Sequence, residues 1–189
     1  MDSVLIVSSM EKSTAFFVEM LNAASIHEIT VLPSCGEARR LLFEQDFDLV
    51  LINAPLKDET GERLARQIAA KGQAQVILVV KAVYFDEISA VCEDDGVLSV
   101  AKPINRTVFW SALTLAKSSQ RRVLKMKAEN QRLKQTIEDI RIVDRAKCLL
   151  ISHLRMSEQE AHRYIEKQAM DMRSTRRAVA EGILKTYET

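Results

Sequence analysis

From Thr107 to Ile140 the chain has neither proline nor glycine, and from Ile142 to Leu184 it has no proline and one glycine. These are the residues that most readily end a helix, so the whole tract is committed to helical structure. Through its last third, core-type positions recur at helical spacing: Ile142, Ala146, Leu149, Leu150 and His153, then Ala161, Tyr164, Ile165, Ala169 and Met172, then Val179 and Ile183. Two interruptions divide this stretch. Ser157 and Glu160 have the spacing of a capping box, and Ser174 is placed to cap a last helix. The pattern predicts three short helices, none able to stand alone, packed as one small bundle in which His153 and Tyr164 belong to the core or its boundary.

The N-terminal part reads differently. Strands are predicted at Val4–Val7, Ile29–Leu32, Asp48–Ile52, Gln75–Val80 and Val97–Val100. Helices are predicted between them at 11–24, 36–45, 62–70 and 83–94. The third strand is nearly all apolar, as suits a strand covered on both faces. Strand–helix alternation with short loops implies a parallel sheet flanked by helices. The predicted organisation is a sheet domain over residues 1–118, a linker helix over 119–140 and a helical bundle over 141–189.

Charge separates the two ends. Residues 1–120 carry 11 Lys and Arg against 16 Asp and Glu, a balance of −5, while residues 121–189 carry 16 against 10, a balance of +6. A basic region behind an acidic domain suits a polyanion partner, unless the basic residues merely solubilise the helices. No apolar run approaches the ~18 residues that a membrane helix needs, and the N-terminus has neither the basic segment nor the apolar length of a signal peptide. Cys35, Cys92 and Cys148 are widely spaced, with no CxxC or Cys/His ligand pattern. Reduced thiols in a cytoplasm, no metal site and no cofactor are the expectation.

The tail resembles the ANTAR domain, an RNA-binding antitermination module found behind receiver domains in bacterial regulators. Arg141-Ile142-Val143-Asp144-Arg145-Ala146-Lys147 is similar to the opening motif of that family. Ser157-Glu158 with Ala161 resembles its second-helix start, and Ala169-Met170 and Val179-Ala180 its later signatures. Cys148 and Glu166 depart from the family's usual Gly and Arg. The resemblance implies RNA contact, and the basic residues that would make it are Arg141, Arg145 and Lys147 on the first helix and Arg173, Arg176 and Arg177 around the start of the third. At that start, backbone N–H groups and the helix dipole also favour phosphate.

The N-terminal part resembles the receiver domain of response regulators, with Lys102-Pro103 standing as the Lys-Pro after the fifth strand. The whole chain is then α/β: a receiver-like (flavodoxin-like), doubly wound, parallel five-stranded sheet, followed by a long helix with a coiled coil and a three-helix bundle. Receiver chemistry needs an Asp nucleophile, further carboxylates for Mg²⁺, a hydroxyl and a Lys. Here the acidic pair is Ser8 and Ser9, the nucleophile is Asn53, the hydroxyl position is Lys81, and only Lys102 is retained. An amide is a poor nucleophile, so a pseudo-receiver without phosphorylation is expected. Asp58 and Glu59 lie close by and are expected to cap the helix after Gly61. Lys81 and Lys102 either bind an acidic group or extend to solvent.

In the linker, Val123, Asn130 and Ile137 occupy one heptad position and Met126, Leu133 and Ile140 the other. This is the seam of a two-stranded coiled coil, with Asn130 suited to fix parallel register in a homodimer. Packing of the same helix on its own sheet domain is the alternative. The combined expectation is a transcription antitermination regulator that binds leader-RNA stem-loops and is controlled by a regulatory protein or ligand. A DNA-binding response regulator and a protein-interaction scaffold are the competing readings.

Overall fold

The structure is a computed structural model that describes residues 1–72 and 74–187. The last two residues of the expected 141–189 bundle therefore lie outside the described residues. The elements are β1 (Ser3–Val7), α1 (Glu11–Ala23), β2 (Glu28–Leu32), α2 (Cys35–Glu44), β3 (Leu49–Asn53), α3 (Glu62–Lys71), β4 (Gln75–Lys81), α4 (Phe85–Glu93), β5 (Leu98–Lys102), α5 (Arg106–Leu154), α6 (Glu158–Asp171) and α7 (Arg176–Tyr187). Residues Ala82–Tyr84 form a separate 3₁₀ turn, so the predicted helix at 83–94 starts later. Two units are present, Met1–Leu124 and Lys125–Thr189, and their boundary falls within α5.

In the first unit the five strands are all parallel, in the order β2-β1-β3-β4-β5. The period-two alternation of each strand sends neighbouring residues to opposite faces. Leu5, Val7, Val50, Ile52, Leu78 and Val80 pack under α2, α3 and α4, against Ala38, Leu64, Ala65, Ile68 and Cys92. Val4, Ile6, Leu49, Leu51, Ile77 and Val79 face α1 and the start of α5, meeting Phe17, Met20, Leu21, Phe109, Leu113 and Ala116. Both faces of β1, β3 and β4 are thus covered, and those strands are apolar along nearly their whole length. At the foot of the sheet, Asp48 accepts from the Gln120 side chain at 2.6 Å and from the backbone N–H of Asp2 at 2.6 Å.

In the second unit the end of α5 packs with α6 and α7 around Ala146, Leu150, Ala161, Ile165, Ala169, Val179, Ala180 and Ile183. Four of these are alanines, which let the helices approach closely. The first of the three expected short helices is no separate element: it is the last part of the 49-residue α5, because nothing between Arg106 and Leu154 breaks the backbone ladder. The expected capping box is present, with Ser157 N donating to Glu160 Oε2 at 2.8 Å and Glu160 N to Ser157 Oγ at 3.3 Å.

Three expectations about the bundle need correction. The cap of α7 is Thr175, whose Oγ1 accepts from Ala178 N at 3.1 Å, because Ser174 is already drawn back to α6 through its N–H to Ala169 O. His153 and Tyr164 are exposed rather than buried. His153 rests on the Tyr187 ring, centroid to centroid 5.1 Å, and Tyr164 lies beside the stripe that Ala161 and Ile165 form. Met172 is exposed too, since α6 ends at Asp171 and the chain turns there, with Arg173 at φ 47°. No helix is long and apolar enough to cross a membrane among the described residues.

Candidate functional sites

The carboxyl ends of the strands bring Ser8, Asn53, Lys81 and Lys102 to one edge of the sheet, where Lys81 pairs with Lys102 and Asn53 with Val79, two residues before the end of β4. Asn53 is 1 % exposed and Ser8 is 5 % exposed. The Asn53 amide Nδ2 donates to Ser8 Oγ at 3.0 Å, while Asn53 Oδ1 has no hydrogen-bond partner. Ser9 beside it is half-buried. Lys102 turns its ammonium to the backbone carbonyl of Ala54, so it does not extend to solvent as Lys81 does. Burial, and then the charge of Lys81, lower the Lys102 pKa from its ordinary value.

The nearby acids do not serve this edge. Asp58 accepts from Cys35 N at 3.2 Å and Gly36 N at 2.9 Å, which makes it a cap of α2 and not of α3. Burial opposes its ionisation, but the Gly36 and Cys35 N–H groups outweigh that and hold its carboxyl below the usual range. Glu59 forms a two-pronged ion pair with Arg39 of α2. The expectation that both acids cap the helix after Gly61 is thereby corrected: α3 starts at a glycine with φ 89° and no side-chain cap. At Gly61 an added Cβ would meet Ile52 Cγ2 at 2.9 Å, so the chain passes too close to β3 for any larger residue. Among the described residues no group of three His, Cys, Asp or Glu is placed to hold a metal ion. What this edge offers is hydroxyl, amide and ammonium.

The second unit contains a cleft of about 480 Å³ lined by Thr136, Asp139, Ile140, Val143, Asp144 and Lys147 of α5, His162 of α6, and Thr175, Arg176 and Arg177. Three of the six basic residues singled out in the sequence, Lys147, Arg176 and Arg177, meet here. The helical period sets this up: residues 136, 140, 143 and 147 follow one face of α5. Each cation is held by carboxylates. Lys147 Nζ lies 2.8 Å from Asp144 and 3.2 Å from Glu158. Arg177 lies 2.7 Å from Asp139 and 2.8 Å from Glu181, and Arg176 is 3.4 Å from Glu166, which also contacts His162. The hydrogen bond to Asp144 keeps Lys147 protonated above the ordinary lysine range, against a small cost of burial.

Arg141, Arg145 and Arg173 are exposed outside this lining; Arg141 lies 3.8 Å from Glu138, and Arg173 sits in the turn after α6. Sequence reasoning gathered cations and missed the carboxylates facing them. The signal for Asp144–Lys147 (i, i+3) and Arg177–Glu181 (i, i+4) was present in the spacing. The Arg177–Asp139 pair, 38 residues apart, had none. In the linker, Val123 is half-buried and Asn130 exposed, and Met126, Leu133, Ile137 and Ile140 are between 52 % and 70 % exposed.

Comparison with known proteins agrees with this division. Residues 131–184 match the family model described as the ANTAR domain. The transcriptional regulatory protein PdtaR of Mycobacterium tuberculosis (strains CDC 1551 / Oshkosh and ATCC 25618 / H37Rv) is 29% identical over 142 residues, covering 75% of this chain and 69% of that protein. Among solved structures, the signal receiver domain of an HD domain-containing protein from Pseudomonas fluorescens Pf-5 superposes with a TM-score of 0.56 at 20% identity, over 64% of this chain and 97% of that one. A CheY-like receiver domain protein from Methanospirillum hungatei JF-1 gives 0.55 at 20% identity, over 65% and 98%. The first unit has the receiver fold.

Proposed function

We propose that this chain, which carries an ANTAR domain at residues 131–184 behind a receiver fold, is a transcription antitermination regulator that binds stem-loops of nascent leader RNA. It is a regulator and not an enzyme. The observation that carries the reading is the cleft where Lys147, Arg176 and Arg177 meet at the start of α7. At the N-terminus of α7 these cations suit phosphate once they exchange their carboxylate partners for it, and RNA loops add unpaired bases for contact. Lys147→Ala combined with Arg176→Ala is expected to weaken hairpin-RNA binding about 10-fold or more and to flatten the salt dependence by about one unit of slope per lost phosphate contact. Filter binding of a leader hairpin and of duplex DNA at several salt concentrations measures this, with circular dichroism checking the fold. Equal affinity and equal slope for hairpin RNA and duplex DNA would remove RNA as the target.

Control in this reading comes from a regulatory protein or ligand, since Asn53 offers no carboxylate to phosphorylate. The apolar seam at Val123, Met126, Leu133, Ile137 and Ile140, with Asn130 among them, joins two copies in a parallel coiled coil. Two bundles on one coiled coil then act on paired hairpins at high effective concentration. The expected solution mass is that of a dimer, and acetyl phosphate or beryllofluoride is expected to leave both the mass and the RNA affinity unchanged. Light scattering with and without these reagents decides the point: a monomer would exclude the seam, and a response to either reagent would exclude the pseudo-receiver.

A further inference from the structure

The sheet unit contains a cavity that neither the strand-end edge nor RNA binding uses. On α2, Arg39, Leu42 and Phe43 follow at helical spacing, and on α3 Leu64, Gln67 and Ile68 do the same. Two contacts, one turn apart on each helix, tie α2 to α3. Arg39 Nε donates to Gln67 Oε1 at 3.1 Å, and the Lys71 ammonium stands over the Phe43 ring, 4.9 Å from its centroid. Beside these contacts the helices do not close, and they line a cavity of about 400 Å³. Well-packed elements leave few voids larger than a water. The floor is apolar: Phe47, Leu64, Ile68 and Ala74 are at most 7 % exposed, whereas Phe43 in the wall is 82 % exposed.

Size and charge restrict what such a cavity holds. Its volume lies within the roughly 300–1,000 Å³ of small-molecule sites. The lining follows α3 from residue 64 to residue 71, about 10 Å of helix axis. One or two fused rings fill that length, and a peptide helix, itself about 10 Å across, does not enter it. Of the charged groups in the lining, Arg39 is already paired with Glu59. Lys71 and the exposed Asp46 have no ion-pair partner among the described residues. An anionic ligand meets the Asp46 carboxylate and the ends of α2 and α3, where the last carbonyls lack helical donors. A cationic ligand meets Lys71. An electron-rich neutral ring avoids both conflicts: Lys71 makes a cation–π contact with it, and an N–H on the ring donates to Asp46, which only accepts.

We infer that this cavity is a binding site for a small neutral aromatic molecule carrying an N–H donor. The ring is seated on Leu64 and Ile68 beside Phe43, with its N–H directed to Asp46. As a binding site the cavity belongs to the sheet unit alone. As the seat of a controlling ligand it rests on the function proposed above, and the two claims are read by different measurements.

The probes are indole and benzofuran, rings of nearly the same shape in which an N–H donor is exchanged for an oxygen acceptor. Each is titrated into the full chain, with calorimetry reading affinity and backbone-amide NMR signals reading location. Indole is expected to bind saturably, with Kd on the order of 0.1–1 mM for so small a molecule, to shift signals of α2 and α3, and to bind about fivefold more tightly than benzofuran. In Asp46→Ala that preference disappears while benzofuran affinity holds; in Phe43→Ala both probes weaken about fivefold. Both positions are exposed, so the melting temperature should stay in place. Absence of saturation by indole would overturn the site, as would signals shifting elsewhere, a preference that survives Asp46→Ala, or an unchanged affinity in Phe43→Ala. Hairpin-RNA affinity with and without saturating indole reads control separately: a change supports it, and no change overturns the controlling role while leaving the site. Protein that binds hairpin RNA no better than duplex DNA in the absence of indole would overturn the RNA reading and leave the site untouched.

Discussion

Replacing Ala161 by Glu is expected to unfold the second unit while the transition of the sheet unit stays in place. Ala161 is fully buried among Ala146, Ile165 and Ala180, where α6 meets the other two helices. A larger side chain there separates the helices, and overpacking alone costs about 1–3 kcal/mol. The carboxylate adds a buried charge without a partner, which costs several kcal/mol more. A three-helix bundle of this size has only a few kcal/mol of stability to lose. The far-UV signal of the second unit should vanish from a thermal melt, and RNA binding should vanish with it. The sign of the pH effect is fixed: burial raises the pKa of the new carboxyl above its unfolded value of about 4, so the deficit against wild type is full above the raised folded value, narrows as pH falls through it and changes no further below about 4. A melt identical to wild type would show that Ala161 is not at the helix contact.

Phe109→Ala is expected to have an effect of similar size on the other unit. Phe109 is fully buried on the first turns of α5, with Phe16 at 6.0 Å in an edge-on arrangement and Phe17 at 5.7 Å. Removing it leaves a cavity between α1, α5 and the sheet, and such truncations cost about 3–5 kcal/mol. The melting temperature of the sheet unit should fall by roughly 10–20 °C, with the second unit unchanged. The neighbouring Trp110, 38 % exposed, makes the control, because its truncation leaves the rings of Phe16, Phe17 and Phe109 in place. A fall confined to the second unit would place Phe109 outside the sheet core.

Much of this architecture was readable because the relevant signals are local. β1 and β3 announce themselves as short apolar runs, and the Ser157–Glu160 cap is written in a spacing of three. The unbroken course of α5 follows from the missing Pro and Gly, although its last turns were read as a separate helix because their apolar stripe is distinct. That Ser8, Ser9 and Asn53, and no carboxylates, stand at these strand ends was likewise visible by counting along the strands.

The pairing of side chains was not readable in the same way. Asp58 lies three residues before Gly61 in the chain, yet it caps α2, because parallel strands return the chain to the same edge of the sheet. Lys102 selects a backbone carbonyl at Ala54, and the two lysines of that edge part company, one toward protein and one toward solvent. Tyr164 keeps step with Ala161 and Ile165 in sequence but falls just beyond the arc that α5 and α7 cover. Periodicity carries the direction of a helix face only to within about one residue, and the partner helices decide where the covered arc ends.

Residue type and spacing thus settled which segments are strands and helices, which face of each is apolar, and which reactive groups the strand ends lack, since all of these depend on neighbours within a few positions. The meeting of Lys147, Asp144 and Ile140 on α5 with Arg176 and Arg177 of α7 belongs to the folded chain alone. It requires two turns, at Arg155 and Arg173, whose positive φ angles bring α6 and α7 back on α5. Charge content pointed to a polyanion, and helical spacing placed Asp144 beside Lys147 and Glu181 beside Arg177; the meeting of the α5 and α7 groups in one cleft depends on long-range packing.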